Sequence, residues 1–242
     1  LSNFYNLTYH HESFNFAGKQ YNELRVKYNL RRKTIQLSDV IQHQKKYLTD
    51  TLKDLDNQGD YVTKLFPRDL IFTTYGTSIK DGRVFEHEIY SNFNELFQLE
   101  NFDKVYFLDR NIIESTASFG YAYSIDMFLF TEKGHLDYKK KKNQKIEISN
   151  LAFSFMNYHI YESLLHGKIK NFLDRKNITY TALDYHNCEN YIEQNLKCDE
   201  PNLYFESNFD YKNLILNYNQ CVEHIETKIE EYSTLLKNVE FI

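Results

Sequence analysis

The sequence predicts an α/β protein, a mostly parallel sheet flanked by helices. Two observations predict it. The run KVYFL from Lys104 to Leu108 has the apolar character of a strand buried on both faces. Short β-rich runs also alternate with stretches of helical period, which is the pattern of strands joined by helical crossovers.

The elements follow in chain order. Residues 5–9 (YNLTY) read as a short strand. Residues 39–58 carry Val40, Ile41, Leu48, Leu52 and Leu55 at helical spacing, and Gly59 closes them. Residues 60–66 (DYVTKLF) are β-rich and stop at Pro67, which cannot continue a ladder. Residues 69–92 show no decisive period and hold a turn at Lys80-Asp81-Gly82. After the strand at 104–108, residues 112–130 read as an aromatic-rich helix. Its aromatics Phe119, Tyr121, Tyr123, Phe128 and Phe130 read as core packing. Residues 133–145, with the run Lys139–Lys142, read as a solvated loop. Residues 147–174 form a long amphipathic helix, residues 178–183 (ITYTAL) a further strand, and residues 211–237 mainly helix. The whole, residues 1–242, suits a single domain of this class.

Composition narrows the function classes. The net charge of -5 argues against a general nucleic-acid coat protein, so any anion site must be local. The 21 Tyr and 19 Phe beside no Trp, with Asn and Lys in excess, point to an AT-rich coding bias rather than to a mechanism. Cys188, Cys198 and Cys221 form no metal or redox pattern and read as free thiols in a reducing, cytoplasmic compartment. Apolar runs fall short of the roughly 18 residues of a membrane span. The start has no signal-peptide core. It also has no initiator Met, so a preceding segment is expected.

Ligands of open α/β sheets bind at the carboxyl ends of strands. After KVYFL come Asp109, Arg110 and Asn111, and then a helix containing Ser118. An Arg here can grip a phosphate with two parallel hydrogen bonds. The next helix adds free N–H groups and a positive dipole end. Ser118 adds a hydroxyl, but a helix starting directly after Arg110 carries it roughly 12 Å up the axis.

The stretch from Lys104 to Tyr121 resembles the 3'-phosphate-binding segment of sulfotransferases. It has an apolar strand, an Arg-Asn pair at its end, a Ser eight residues after the Arg, and following aromatics. The resemblance implies a P-loop NTPase-like sulfotransferase architecture. It also implies that Arg110 and Ser118 bind the 3'-phosphate of the sulfuryl donor 3'-phosphoadenosine 5'-phosphosulfate (PAPS).

Two shorter stretches are similar to the family in its chain order. Tyr61-Val-Thr-Lys64-Leu-Phe-Pro67 resembles the strand that delivers a catalytic Lys, although Phe66 stands where cytosolic members often carry His. Arg68 is a further cation there. Tyr9-His10-His11-Glu12 resembles the place of the family's catalytic Glu, so the resemblance implies Glu12 as base, with His10 and His11 as alternatives.

The family's Gly-, Ser- and Thr-containing loop for the 5'-phosphosulfate is not found in the sequence. Tyr75-Gly76-Thr77-Ser78 imitates it out of order. The expectation is a sulfotransferase truncated at its N-terminus, with weak activity or none. It would use no metal and take a small-molecule or carbohydrate acceptor hydroxyl, without nucleic-acid or membrane partners. The alternatives are a non-catalytic sulfotransferase-like scaffold and a kinase-like nucleotide-dependent transferase, for which Asp109 stands where a Mg²⁺-holding acid belongs. Tyr180, Asp184 and Tyr185 end the last strand and receive no role.

Overall fold

A computed structural model describes residues 8–10, 37–63, 71–73, 89–91, 96–98, 102–125, 144–186, 188, 191 and 210–237. The elements are β1 (Thr8–His10), α1 (Leu37–Asp56), β2 (Tyr61–Thr63), β3 (Ile71–Thr73), β4 (Ile89–Ser91), β5 (Tyr106–Asp109), α2 (Ile112–Ser124), α3 (Asn150–Arg175), β6 (Thr181–Asp184), α4 (Tyr211–Leu214) and α5 (Tyr218–Leu235). The fold is α/β and mostly helical.

Among the described residues the strands form three two-stranded sheets. The β1–β2 and β5–β6 pairs are parallel, whereas β3–β4 is antiparallel. The antiparallel pair falls in the stretch where the sequence showed no decisive period. Its strands are three residues each, too short for alternation to register.

α1 buries Leu48, Leu52 and Leu55, one stripe at helical spacing. Gly59 then takes φ of 90°, the left-handed conformation in which a side chain is strained, and turns the chain into β2. α3 is the spine. Its 26 residues span about 39 Å. The Ser149 side chain caps it by accepting from the Ala152 N–H at 3.2 Å. Met156, Ile160 and Phe172 are fully buried along it, each contributing about 1.5–3 kcal/mol of transfer free energy. α2 and α5 both pack on this spine. One apolar cluster runs from Leu48 of α1 through Phe107, Tyr121 and α3 to Tyr232 and Leu236.

α2 lies close to α3 because Gly120 faces Met156. A Cβ at that position would stand 2.5 Å from the Met156 sulfur. A small latch holds the helix starts together. Ile146 and Ile215 form a parallel bridge. Beside it the Asn217 side chain accepts from the Ile148 N–H at 2.9 Å and donates to the Ile148 carbonyl at 3.1 Å.

Three expectations change. The strand of KVYFL is not buried on both faces: Phe107 is buried, but Leu108 is 45% exposed and Asp109 is exposed. Its described ladder partner is β6 alone. Phe107 stacks on His166 of α3 at 4.2 Å, and alternation leaves Leu108 on the opposite face. The last strand starts at Thr181 rather than 178, because the chain is still closing α3 there. Asn177 takes φ of 53° and the Ile178 N–H donates to the Leu173 carbonyl. Of the aromatics read as core, Tyr121 is buried, while Phe119 and Tyr123 are half-buried and stack on His159 and Phe155. Phe128, Phe130 and the Lys139–Lys142 run lie outside the described residues.

No described helix is long and apolar enough to cross a membrane. Cys188 and Cys221 are buried. Cys198 lies outside the described residues.

Candidate functional site

The site is built where β5 and β6 end. The two strands are parallel and in register, with Asp109 opposite Asp184. The ladder runs one bond further, from the Tyr185 N–H to the Asp109 carbonyl at 2.9 Å. Arg110 and Tyr185 therefore leave the sheet side by side. The Arg110 guanidinium carbon sits 4.1 Å from the centre of the Tyr185 ring, a cation–π contact. Its Nε is buried and has no hydrogen-bond partner.

The residues after β6 form a tight turn. The Asp184 carboxylate accepts from the His186 N–H at 2.7 Å. This directs two consecutive side chains back onto the β5–α2 connection. Tyr185 meets Arg110, and His186 meets Glu114 in the first turn of α2, Nε2 to Oε2 at 2.7 Å. The His186–Glu114 pair is half exposed, so its energetic weight is small.

The start of α2 differs from the sequence-based expectation. Asn111 is its N-cap, and its side chain accepts from the Ile113 and Glu114 N–H groups at 2.9 and 3.2 Å. Those two donors are occupied and not free for an anion. The dipole of the helix remains. Asn111, read as half of an Arg-Asn pair, thus has a structural role as the cap of α2.

Ser118 lies six residues into α2, about 9 Å along the axis. Its hydroxyl donates to the Tyr211 hydroxyl of α4 at 2.7 Å. Tyr211 in turn sits edge-on to Tyr121, ring centres 5.8 Å apart. Arg110 and Ser118 therefore address different partners, Tyr185 and Tyr211, with Glu114 one helical turn before Ser118 on the same face. Behind β5, burial lowers the pKa of His166, opposed in part by the charge of Asp109.

No family model, curated protein or solved structure matches the chain.

Of the other residues singled out in the sequence, Glu12, Lys64, His11, Arg68 and the Tyr75–Ser78 stretch lie outside the described residues. His10 closes β1. Tyr180 donates its hydroxyl to Asp174 at 2.8 Å and packs on Phe107, a structural position on the α3 side. Sequence reasoning missed Glu114, His186 and Tyr211. Glu114 and Ser118 share helical spacing, which is a usable signal. Nothing in the sequence pairs Tyr211 with Ser118, 93 residues away.

What the described arrangement offers chemically is anion recognition. A guanidinium stands at a strand end, its carbon 4.1 Å from a ring centre and its Nε–H unsatisfied. Leaving such a buried donor unpaired costs about 1–3 kcal/mol, a cost that an oxyanion able to reach it would offset.

Proposed function

We propose that this chain is a sulfotransferase that moves a sulfuryl group from PAPS to an acceptor hydroxyl, on a P-loop NTPase-like sulfotransferase scaffold in the cytoplasm. The observation that carries the reading is Arg110. It is the residue that the resemblance assigns to the 3'-phosphate, and it stands at the carboxyl end of a parallel strand with its Nε–H buried and unpaired. Ser118 is the second 3'-phosphate ligand, reached once its hydroxyl exchanges Tyr211 for the ligand. A supporting observation concerns the strands that precede the two catalytic candidates. β1 and β2 are parallel, with His10 opposite Thr63, two residues before Glu12 and one before Lys64 respectively.

The chemistry is an in-line displacement at sulfur. The acceptor O–H gives its proton to Glu12 as the acceptor oxygen bonds to sulfur. The bond from sulfur to the 5'-phosphate oxygen breaks, and Lys64 stabilises the charge that develops on that oxygen. Arg110 and Ser118 hold the far end of the nucleotide and take no part in bond making. The acceptor is a small molecule or carbohydrate.

Calorimetric titration with 3'-phosphoadenosine 5'-phosphate, the desulfated product, tests the reading. Adenosine monophosphate is expected to bind at least about tenfold more weakly, since a charged hydrogen-bond pair is lost. Arg110→Ala is expected to remove that preference. Equal affinity for the two nucleotides, or an unchanged preference in Arg110→Ala, refutes it.

A second reading, a kinase-like transferase, is favoured by one observation: Asp109 and Asp184 are opposite each other at the two strand ends. Paired acids at that place suit Mg²⁺-nucleotide. Nucleotide affinity that requires Mg²⁺ selects it over the first. A third, a non-catalytic sulfotransferase-like scaffold, is selected by 3'-phosphate-dependent binding without turnover in a chain extended at its N-terminus by the family's 5'-phosphosulfate loop.

A further inference from the structure

We propose that Tyr185 is a positioning residue for phosphate binding, whose ring fixes the plane of the Arg110 guanidinium so that its N–H edge meets a phosphomonoester. The inference rests on the reading of Arg110 as a phosphate ligand. It adds a residue that neither the sequence pattern nor the family resemblance assigned.

The geometry of the two groups is complementary to a third. Stacking uses the face of a guanidinium, whereas its five N–H bonds lie in the plane and point outward. A ring at 4.1 Å and a phosphate at the edge therefore engage orthogonal parts of one side chain. The ring orients the cation without competing for the anion. The Nε–H belongs to that in-plane edge, and it is the donor left buried and unpaired.

Tyr185 is itself held. Its N–H is tied to the Asp109 carbonyl at 2.9 Å and its carbonyl accepts from the Cys188 thiol at 3.1 Å. The backbone is thus anchored on one side of the ring to the end of β5, which launches Arg110, and on the other to the Cys188 thiol three residues on. An unsupported Arg loses rotamer entropy on being fixed. Here much of that loss is taken on folding, which leaves less to be lost on binding. The adjoining residue serves the same end. His186 engages the Glu114 carboxylate at 2.7 Å, and among the described residues Arg110 forms no ion pair.

Two measurements on the full chain test the proposal. The first is the Arg110 Nε–H resonance in nitrogen-edited NMR, identified by its loss in Arg110→Lys. It is expected upfield of ordinary Arg signals in the native chain and in Tyr185→Phe, and at the ordinary position in Tyr185→Leu. The second is affinity for 3'-phosphoadenosine 5'-phosphate. It is expected to fall about fivefold in Tyr185→Leu, to be retained in Tyr185→Phe, and to show no further loss when Tyr185→Leu is added to Arg110→Lys. Rescue by Phe identifies the ring face, and non-additivity identifies Arg110 as the group it acts through. The proposal is overturned if Tyr185→Leu binds as tightly as the native chain. It is also overturned if neither the nucleotide nor inorganic phosphate moves the Arg110 resonance. If inorganic phosphate moves it in a Tyr185-dependent way while the nucleotide binds no better than adenosine monophosphate, the sulfotransferase reading falls and the role of Tyr185 stands.

Discussion

Gly120→Ala tests how closely α2 and α3 are fitted. On propensity alone the change is favourable, because Ala gains about 1 kcal/mol over Gly in a helix interior. The structure reverses the sign. The new Cβ would lie 2.5 Å from Sδ, 3.1 Å from Cγ and 3.4 Å from Cε of Met156. Met156 is fully buried, so its thioether has no solvent to swing into. Overpacking of this kind costs about 1–3 kcal/mol. The net expectation is a loss of about 1 kcal/mol.

The control removes the obstacle. Met156→Ala alone costs about 2–5 kcal/mol, as a cavity-forming change does. In that background Gly120→Ala meets no thioether and is expected to stabilise by about 1 kcal/mol. Urea unfolding, followed by far-ultraviolet circular dichroism, gives all four corners of the cycle. A coupling of about 2 kcal/mol between the two sites is the predicted result. Gly120→Ala with the same sign and size in both backgrounds refutes the close approach.

Two further outcomes are expected. Burial lowers the pKa of His166 and of His224, the latter helped by the charge of Lys228, from an ordinary value of 6.5. The unfolded chain therefore binds more protons than the folded one as pH falls through 6.5, so stability is present above that pH and lost below it, until the folded-state values are passed. Urea midpoints at pH 7.5 and 5.5 measure this, and His166→Phe should reduce the difference. Asn111→Ala removes the cap of α2, which accepts two N–H groups, and should destabilise by about 1 kcal/mol in the same assay. A change within error would show that the cap bonds contribute nothing net.

The helices were legible because their signals are local. Leu48, Leu52 and Leu55 mark the buried stripe of α1, and Gly59 marks its end, with the left-handed φ that the residue type suggests. Ile148 continues the apolar period and so draws the expected start of α3 three residues early, but it belongs to the latch beside Asn217. Strand burial was not legible. KVYFL looks the same whether one face or two are covered, and only the location of its neighbours decides that Leu108 is open.

At the site the same division holds. Arg110 and its place at a strand end follow from a single run of residues. Tyr185 reaches it only because β5 and β6 pair in parallel and in that register. Asn111 could be read as a phosphate-site residue or as a cap, and the choice depends on where α2 begins. The pairing of Ser118 with Tyr211 spans 93 residues and has no local signature at all.

The latch at Ile146–Ile148 and Ile215–Asn217 has a consequence in time rather than in space. It ties together positions 69 residues apart. Closing so long a stretch of open coil costs about 4 kcal/mol of chain entropy. That is close to the whole net gain from its hydrogen bonds, at about 1 kcal/mol each. The latch therefore does not drive its own formation, and it is expected to close after α5 has docked on α3. Interactions made that late act on the unfolding side of the barrier. Loosening the latch, as in Asn217→Ala, is expected to speed unfolding of the assembled helices and to leave their folding rate little changed.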